Sequence, residues 1–127
     1  LNSVYFTSAT QGWAVGAAGV IRVTANGGAT WTIQISPVSQ TLTGIFFFSA
    51  TNGCVVGNSG SLATTTDSGA TWTNAPFNYV LVGGVLNGVF FTSATNGWAV
   101  SVSGNLIFTT NGGNTWKLKN LGLTSNF

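Results

Sequence analysis

The sequence contains no histidine, no glutamate and no methionine, and only one aspartate (Asp67) and one cysteine (Cys54) among 127 residues. Each absence removes a class of chemistry. Without histidine or glutamate, one chain cannot assemble a side-chain metal cluster, a carboxylate pair or a Ser-His-Asp triad. The chain therefore reads as a non-enzyme, and no cofactor is expected. A single cysteine forbids an intrachain disulfide. Charge is scarce too: Arg22, Lys117 and Lys119 stand against Asp67, so 3% of residues are charged, where about 25% is usual. A surface that tracks phosphates needs a cation for each one it neutralises, so no nucleic-acid partner is expected. No apolar run approaches the roughly 18 residues of a membrane helix, so no membrane span is expected either.

What is present is apolar and glycine-rich. There are 18 glycines, aromatics make up 13% of the chain, and the mean hydropathy is +0.38. That composition excludes a disordered polar tail, which combines low hydrophobicity with high net charge. The missing charge has three readings. Strongly acidic extracellular surroundings neutralise Asp and Glu, dense assemblies shed charge that would be buried, or the charged parts lie elsewhere in a longer chain. The lack of methionine, with Leu1 first, reads as a piece cut from a precursor. An extracellular, secreted location is the expectation.

Self-similarity organises the chain. Leu1 to Trp31 aligns without a gap to Leu42 to Trp72 and to Leu86 to Trp116, and the first and third copies agree at 19 of 31 positions. Agreement at that level is duplication. Each copy opens on an aromatic strand, Val4-Tyr5-Phe6, Ile45-Phe46-Phe47 or Val89-Phe90-Phe91, expected to be buried on both faces. A turn follows, containing Asn52-Gly53 and Asn96-Gly97, a pair that signals a tight hairpin. A second strand starts at Trp13, Cys54 or Trp98, and a third follows another turn at Gly19, Gly60 or Gly104. The fourth strand is expected to start at Thr30-Trp31, Thr71-Trp72 and Thr115-Trp116. No segment shows a sustained 3.6-residue apolar period. Four short antiparallel strands in about 42 residues are the sequence form of a β-propeller blade. The expected fold is all-β, with three blades at residues 1–41, 42–85 and 86–127.

The turn before the fourth strand carries the most specific motif. It runs from Thr24 through Asn26 and Gly28 to Trp31, from Thr65 through Asp67 and Gly69 to Trp72, and from Thr109 through Asn111 and Gly113 to Trp116. A short Asp or Asn side chain can accept hydrogen bonds from its own turn, Gly takes a positive φ, and Trp covers the hairpin. These nine Asx, Gly and Trp positions are assigned as structural. The motif resembles the Asp-box of sialidase-like propellers. With the preceding Gly-Trp-Ala-Val segments, the whole repeat resembles blades of the photosystem II stability and assembly factor-like propellers. That resemblance implies a protein-binding propeller with many secreted bacterial relatives, binding its partner through a basic, Arg-rich face. Two Asp-boxes here carry Asn26 and Asn111, and Arg22 is the only arginine.

Asp67, as an Asp-box residue, reads as a turn cap rather than a catalyst. The arginine cluster that a sialidase needs is absent. Cys54, where the other copies have Trp13 and Trp98, reads as a packing substitution. Four aromatics form the candidate binding surface: Phe77 and Tyr79 in the irregular connection after the second copy, and Trp13 and Trp98. Closed propellers have four to eight blades, so three should associate through open faces and edges. The expected partners are proteins: copies of itself in a homo-oligomer or fibre, or further blades of a longer chain. The function expected is a non-catalytic extracellular structural or interaction module. The alternatives are a module that binds glycan on exposed aromatics, and a fragment of a propeller hydrolase.

Overall fold

A computed structural model describes residues 1–74 and 85–119. They form three four-stranded antiparallel sheets. Blade 1 comprises β1 (Ser3–Phe6), β2 (Gly12–Val15), β3 (Ile21–Thr24) and β4 (Thr32–Gln34). Blade 2 comprises β5 (Leu42–Phe47), β6 (Gly53–Gly57), β7 (Leu62–Thr65) and β8 (Thr73–Asn74). Blade 3 comprises β9 (Leu86–Phe91), β10 (Gly97–Ser101), β11 (Leu106–Thr109) and β12 (Lys117–Lys119). In each sheet the strands lie in chain order. The first strands pack side by side, with β5 between β1 and β9, and their aromatics form a ladder: Tyr5 to Phe46 at 5.1 Å, Phe46 to Phe90 at 5.0 Å. The all-β propeller architecture expected from the repeat is the one observed.

The core lies between blades, because residues alternate across each strand. Trp13, Val15 and Ile21 of blade 1 meet Leu42, Ile45, Phe47, Val55 and Trp72 of blade 2 in one buried cluster. Cys54, Val56 and Leu62 of blade 2 meet Leu86, Phe91, Ala99, Ile107 and Trp116 of blade 3 in a second. These are two copies of one joint, filled differently. In the first, Trp13 stacks on Phe47 at 3.9 Å. In the second, Cys54 leaves that space, and Phe48, which stands where the other copies have Thr7 and Thr92, packs on Phe91 at 4.6 Å. Polar latches repeat as well. Asn2 Nδ2 donates to the Leu42 carbonyl at 2.9 Å, and the hydroxyl of Thr43, the equivalent residue, donates to the Leu86 carbonyl. Thr43 is the extra residue of a β-bulge between Leu42 and Gly44, which turns it out of its own ladder.

Two expectations are corrected, and a third is sharpened. The aromatic strand is not buried on both faces in blade 1: Val4 and Phe6 are exposed, because no blade covers that side. The Asn-Gly hairpins form, β5 with β6 and β9 with β10, with Gly53 and Gly97 as the first residues of β6 and β10 and not at positive φ. Their role is space, since a Cβ there would lie 2.8 Å from the Phe47 ring and 2.7 Å from the Phe91 ring. The fourth strand starts one residue after the Trp, at Thr32, Thr73 and Lys117, because Thr and Trp are held by the turn's own hydrogen bonds.

Candidate functional site

The three Asp-box turns share one construction. In blade 2 the buried Thr65 hydroxyl accepts the Gly69 N–H at 2.9 Å and donates to Asp67 Oδ1 at 2.8 Å. Asp67 Oδ1 accepts the Thr71 N–H at 2.9 Å, while Oδ2 accepts the Thr71 hydroxyl at 2.6 Å. In blades 1 and 3 the Asn oxygen takes the same N–H, from Thr30 at 2.9 Å and from Thr115 at 3.0 Å. There the amide nitrogen donates to the threonine hydroxyl, Asn26 to Thr30 at 2.8 Å and Asn111 to Thr115 at 2.7 Å. Exchanging Asp for Asn therefore reverses one donor and keeps the ring of bonds. Gly28, Gly69 and Gly113 all have positive φ. Trp31, Trp72 and Trp116 stand edge-on to Phe6, Phe47 and Phe91. The indole N–H of Trp31 and Trp116 bonds the turn's own glycine carbonyl, whereas that of Trp72 reaches Gln34 Oε1 of blade 1 at 3.4 Å.

The buried threonines are hubs that assigning only Asx, Gly and Trp left out. The motif signalled them, since each of its copies begins with Thr24, Thr65 or Thr109. Thr65→Val leaves the Gly69 N–H without its acceptor and removes one of the bonds that hold Asp67. The expected loss is about 1–3 kcal/mol, read from urea unfolding, with Thr65→Ser largely restoring stability.

Asp67 has no carboxylate neighbour that would suit acid–base work. The Thr71 hydroxyl, then the Thr71 N–H and the Thr65 hydroxyl hold its carboxyl below the usual aspartate range. A folded value below the unfolded one contributes stability that is present above the unfolded value and lost as pH falls through the folded value. Asp67 is the only side-chain carboxylate. Asp67→Asn is therefore expected to flatten the dependence of Tm on pH below about pH 4, with the amide bonded to Thr71 as in blades 1 and 3. Cys54 is fully buried, and burial pushes its thiol up, away from the reactive thiolate.

The four candidate surface aromatics are not brought together. Trp13 is fully buried on Phe47, and its ring offers no face to a ligand; its place in that surface is corrected. Trp98 is partly exposed, at 38%. Phe77 and Tyr79 lie outside the described residues. A cleft of about 750 Å³ that the sequence did not signal opens at the rim of blade 1, between Leu1, Ala18, Arg22, Ile33, Ile35 and Val38. Ile33 and Ile35 are largely exposed there. Among the described residues no group of three or more His, Cys, Asp or Glu could hold a metal ion.

With this geometry, the family described as photosynthesis system II assembly factor YCF48 matches residues 1–84. The chain belongs to that family. YCF48 bound to D1 peptide is 22% identical and superposes with a TM-score of 0.81, covering 92% of this chain and 39% of that one. YCF48 from Cyanidioschyzon merolae is also 22% identical, with a TM-score of 0.77 over 96% of this chain and 41% of that one. An ancestral GH74 enzyme is 15% identical, with a TM-score of 0.70, covering 89% of this chain and 17% of the enzyme. Likeness at these identities shows the shared propeller fold. This chain spans about two fifths of the length of the YCF48 structures. No curated protein matches it. Membership corrects the expected location: the YCF48 family is described by assembly of photosystem II, work done inside a photosynthetic cell, so the extracellular, secreted assignment is withdrawn.

Proposed function

We propose that this chain is a non-catalytic protein-interaction propeller module that holds an extended segment of a partner protein within a larger assembly. The observation that carries the reading is the similarity, over 92% of this chain, to a YCF48 bound to D1 peptide. Local chemistry is in keeping with it. The rim cleft of blade 1 is open and mostly apolar, and it borders β4, the last strand of its sheet. An extended peptide adds to such an edge through main-chain hydrogen bonds, while alternate side chains enter apolar pockets. Ile33 and Ile35 are the anchors in this reading. Rigid blades with function at their rims also suit a module whose turns carry structural rather than reacting groups.

The test is a calorimetric titration with a synthetic D1 peptide. Saturable binding is expected, weakened about tenfold by the Ile33→Asp change. Absence of binding, or binding that Ile33→Asp leaves unchanged, counts against this site. Of the four aromatics named for the glycan reading, only Trp98 is both described and exposed, with Phe90 as its exposed cross-strand neighbour.

A further inference from the structure

We propose that Asn52 and its counterpart Asn96 are sites of slow covalent change, losing ammonia to become aspartate or isoaspartate while the protein stays folded. The chain holds five Asn-Gly pairs, and four of them lie in hairpin turns. Asn26-Gly27 and Asn111-Gly112 belong to Asp-box turns, whereas Asn52-Gly53 and Asn96-Gly97 close the hairpins of β5 with β6 and of β9 with β10. The reaction starts when the backbone nitrogen of the glycine attacks the asparagine Cγ, with no side chain on the glycine to block the approach. That nitrogen gives up its proton, and the new N–C bond closes a five-membered succinimide. The Cγ–Nδ2 bond breaks and ammonia leaves with the proton. Water then adds to either ring carbonyl and reopens the ring as aspartate or isoaspartate. One water is taken up and one ammonia lost, with nothing oxidised or reduced.

The four pairs are held differently. In blade 1, Asn26 Oδ1 accepts the Thr24 hydroxyl and the Thr30 N–H, both at 2.9 Å, and Nδ2 donates to the Thr30 hydroxyl at 2.8 Å. The Gly27 N–H is tied as well, to the Thr10 carbonyl at 2.9 Å. Asn111 repeats the three side-chain bonds, and Gly112 donates to the Thr95 carbonyl at 2.9 Å. Asn52 is bound once. Its Oδ1 accepts the Thr51 hydroxyl at 2.8 Å, and the nitrogen that must leave, Nδ2, has no partner among the described residues. Asn96 has the same single bond, from Thr95 at 3.2 Å. That bond falls on the oxygen that gains charge during the attack, so it assists the reaction. Gly53 and Gly97 pair with Thr65 and Thr109 at the end of the ladder, where a sheet opens most readily. Blade 1 carries Gln11 at this place, and its longer side chain must close a slower, six-membered ring. Each conversion adds one negative charge. At Asn52 the charge arises beside the Asp67 turn, because the Thr51 carbonyl accepts the Ser68 N–H at 2.9 Å. Isoaspartate also lengthens the backbone ahead of Gly53, where a Cβ would already lie 2.8 Å from the Phe47 ring.

The test is ageing of the folded chain at mildly alkaline pH, read by mass spectrometry of its proteolytic fragments, beside a sample kept unfolded in urea. In the folded sample Asn52 and Asn96 are expected to convert at least about tenfold faster than Asn26 and Asn111. In urea the four rates should converge to within about threefold, because the protecting bonds are gone. Thr51→Val should slow conversion at Asn52 about threefold or more, with Thr51→Ser restoring it. A hydroxyl that merely restrained the side chain would give faster conversion when removed, which overturns the role given to Thr51. Asn52→Gln should stop the change at that position and leave the urea midpoint of the fresh protein where it was, as Gln11 already fits the same turn in blade 1. Folded-state conversion of Asn26 or Asn111 as fast as that of Asn52 overturns the proposal. So does an Asn52 that stays intact in the folded sample while the urea sample converts. None of these readouts needs a bound partner, so they stand or fall apart from the proposed function.

Discussion

Trp13→Ala is expected to cost about 3–5 kcal/mol, the largest effect of any single truncation here. Trp13 is completely buried, stacks on Phe47 at 3.9 Å and fills the joint between blades 1 and 2. Removing it takes away the bulk of one side of that joint, and the strands around it are too tightly hydrogen-bonded to close the gap. Against a total stability of about 5–15 kcal/mol, that loss would leave much of the population unfolded at room temperature. Its indole N–H has no hydrogen-bond partner, so Trp13→Phe should cost much less, giving up ring area but no polar contact. The same truncation at the equivalent position of blade 3, Trp98→Ala, is expected to cost less than about 1 kcal/mol, because more than a third of that side chain is already exposed. Urea unfolding of the three variants checks the ranking. Equal losses at Trp13 and Trp98 would contradict the joint as described.

Gly57→Ala is expected to cost about 2–4 kcal/mol. The backbone there is extended, with φ −171°, which any residue adopts, so the objection is purely one of room. A Cβ on Gly57 would run into the Thr41 carbonyl oxygen and lie 2.8 Å from the Leu42 Cα. Both are backbone atoms and cannot swing aside as a side-chain tip could. The Thr41 carbonyl also accepts the Asn58 N–H at 2.9 Å. Relief therefore means lifting the start of β5 from β6, which breaks that bond and displaces the fully buried Leu42. Gly88→Ala is the control, since nothing lies within 4 Å of a Cβ there. It should change stability by no more than about 0.5 kcal/mol, and thermal unfolding of the pair separates the two cases.

Much of this was legible in the residues. The Asp-box turns could be read because the bonds among their Thr, Asx and Gly residues join positions no more than four apart, so Thr24, Asn26 and Gly28 nearly specify their own geometry. The replacement of Asp by Asn was legible too, although the reversal of the threonine hydrogen bond was not. Gly53 shows where such reading stops. Asn-Gly is a hairpin signal on local grounds, yet Gly53 is kept small by the ring of Phe47, a contact set by strand pairing. The rim cleft at Ile33 and Ile35 had no signal, because it joins segments that only the completed blade brings together.

The sequence by itself determined the repeat, the four-stranded unit and the turn chemistry, since each depends on spacings within about forty residues. It also determined the scarcity of charge, but not its meaning. Only the tertiary structure decided which of three equivalent positions are core. Trp13, Cys54 and Trp98 share one place in the repeat, yet the first is buried under Phe47, the second is relieved by Phe48, and the third faces outward. The physical reason is that a blade cannot bury both its faces alone. Burial belongs to the joint between neighbours, and a residue's place within the blade does not say whether a neighbour is there.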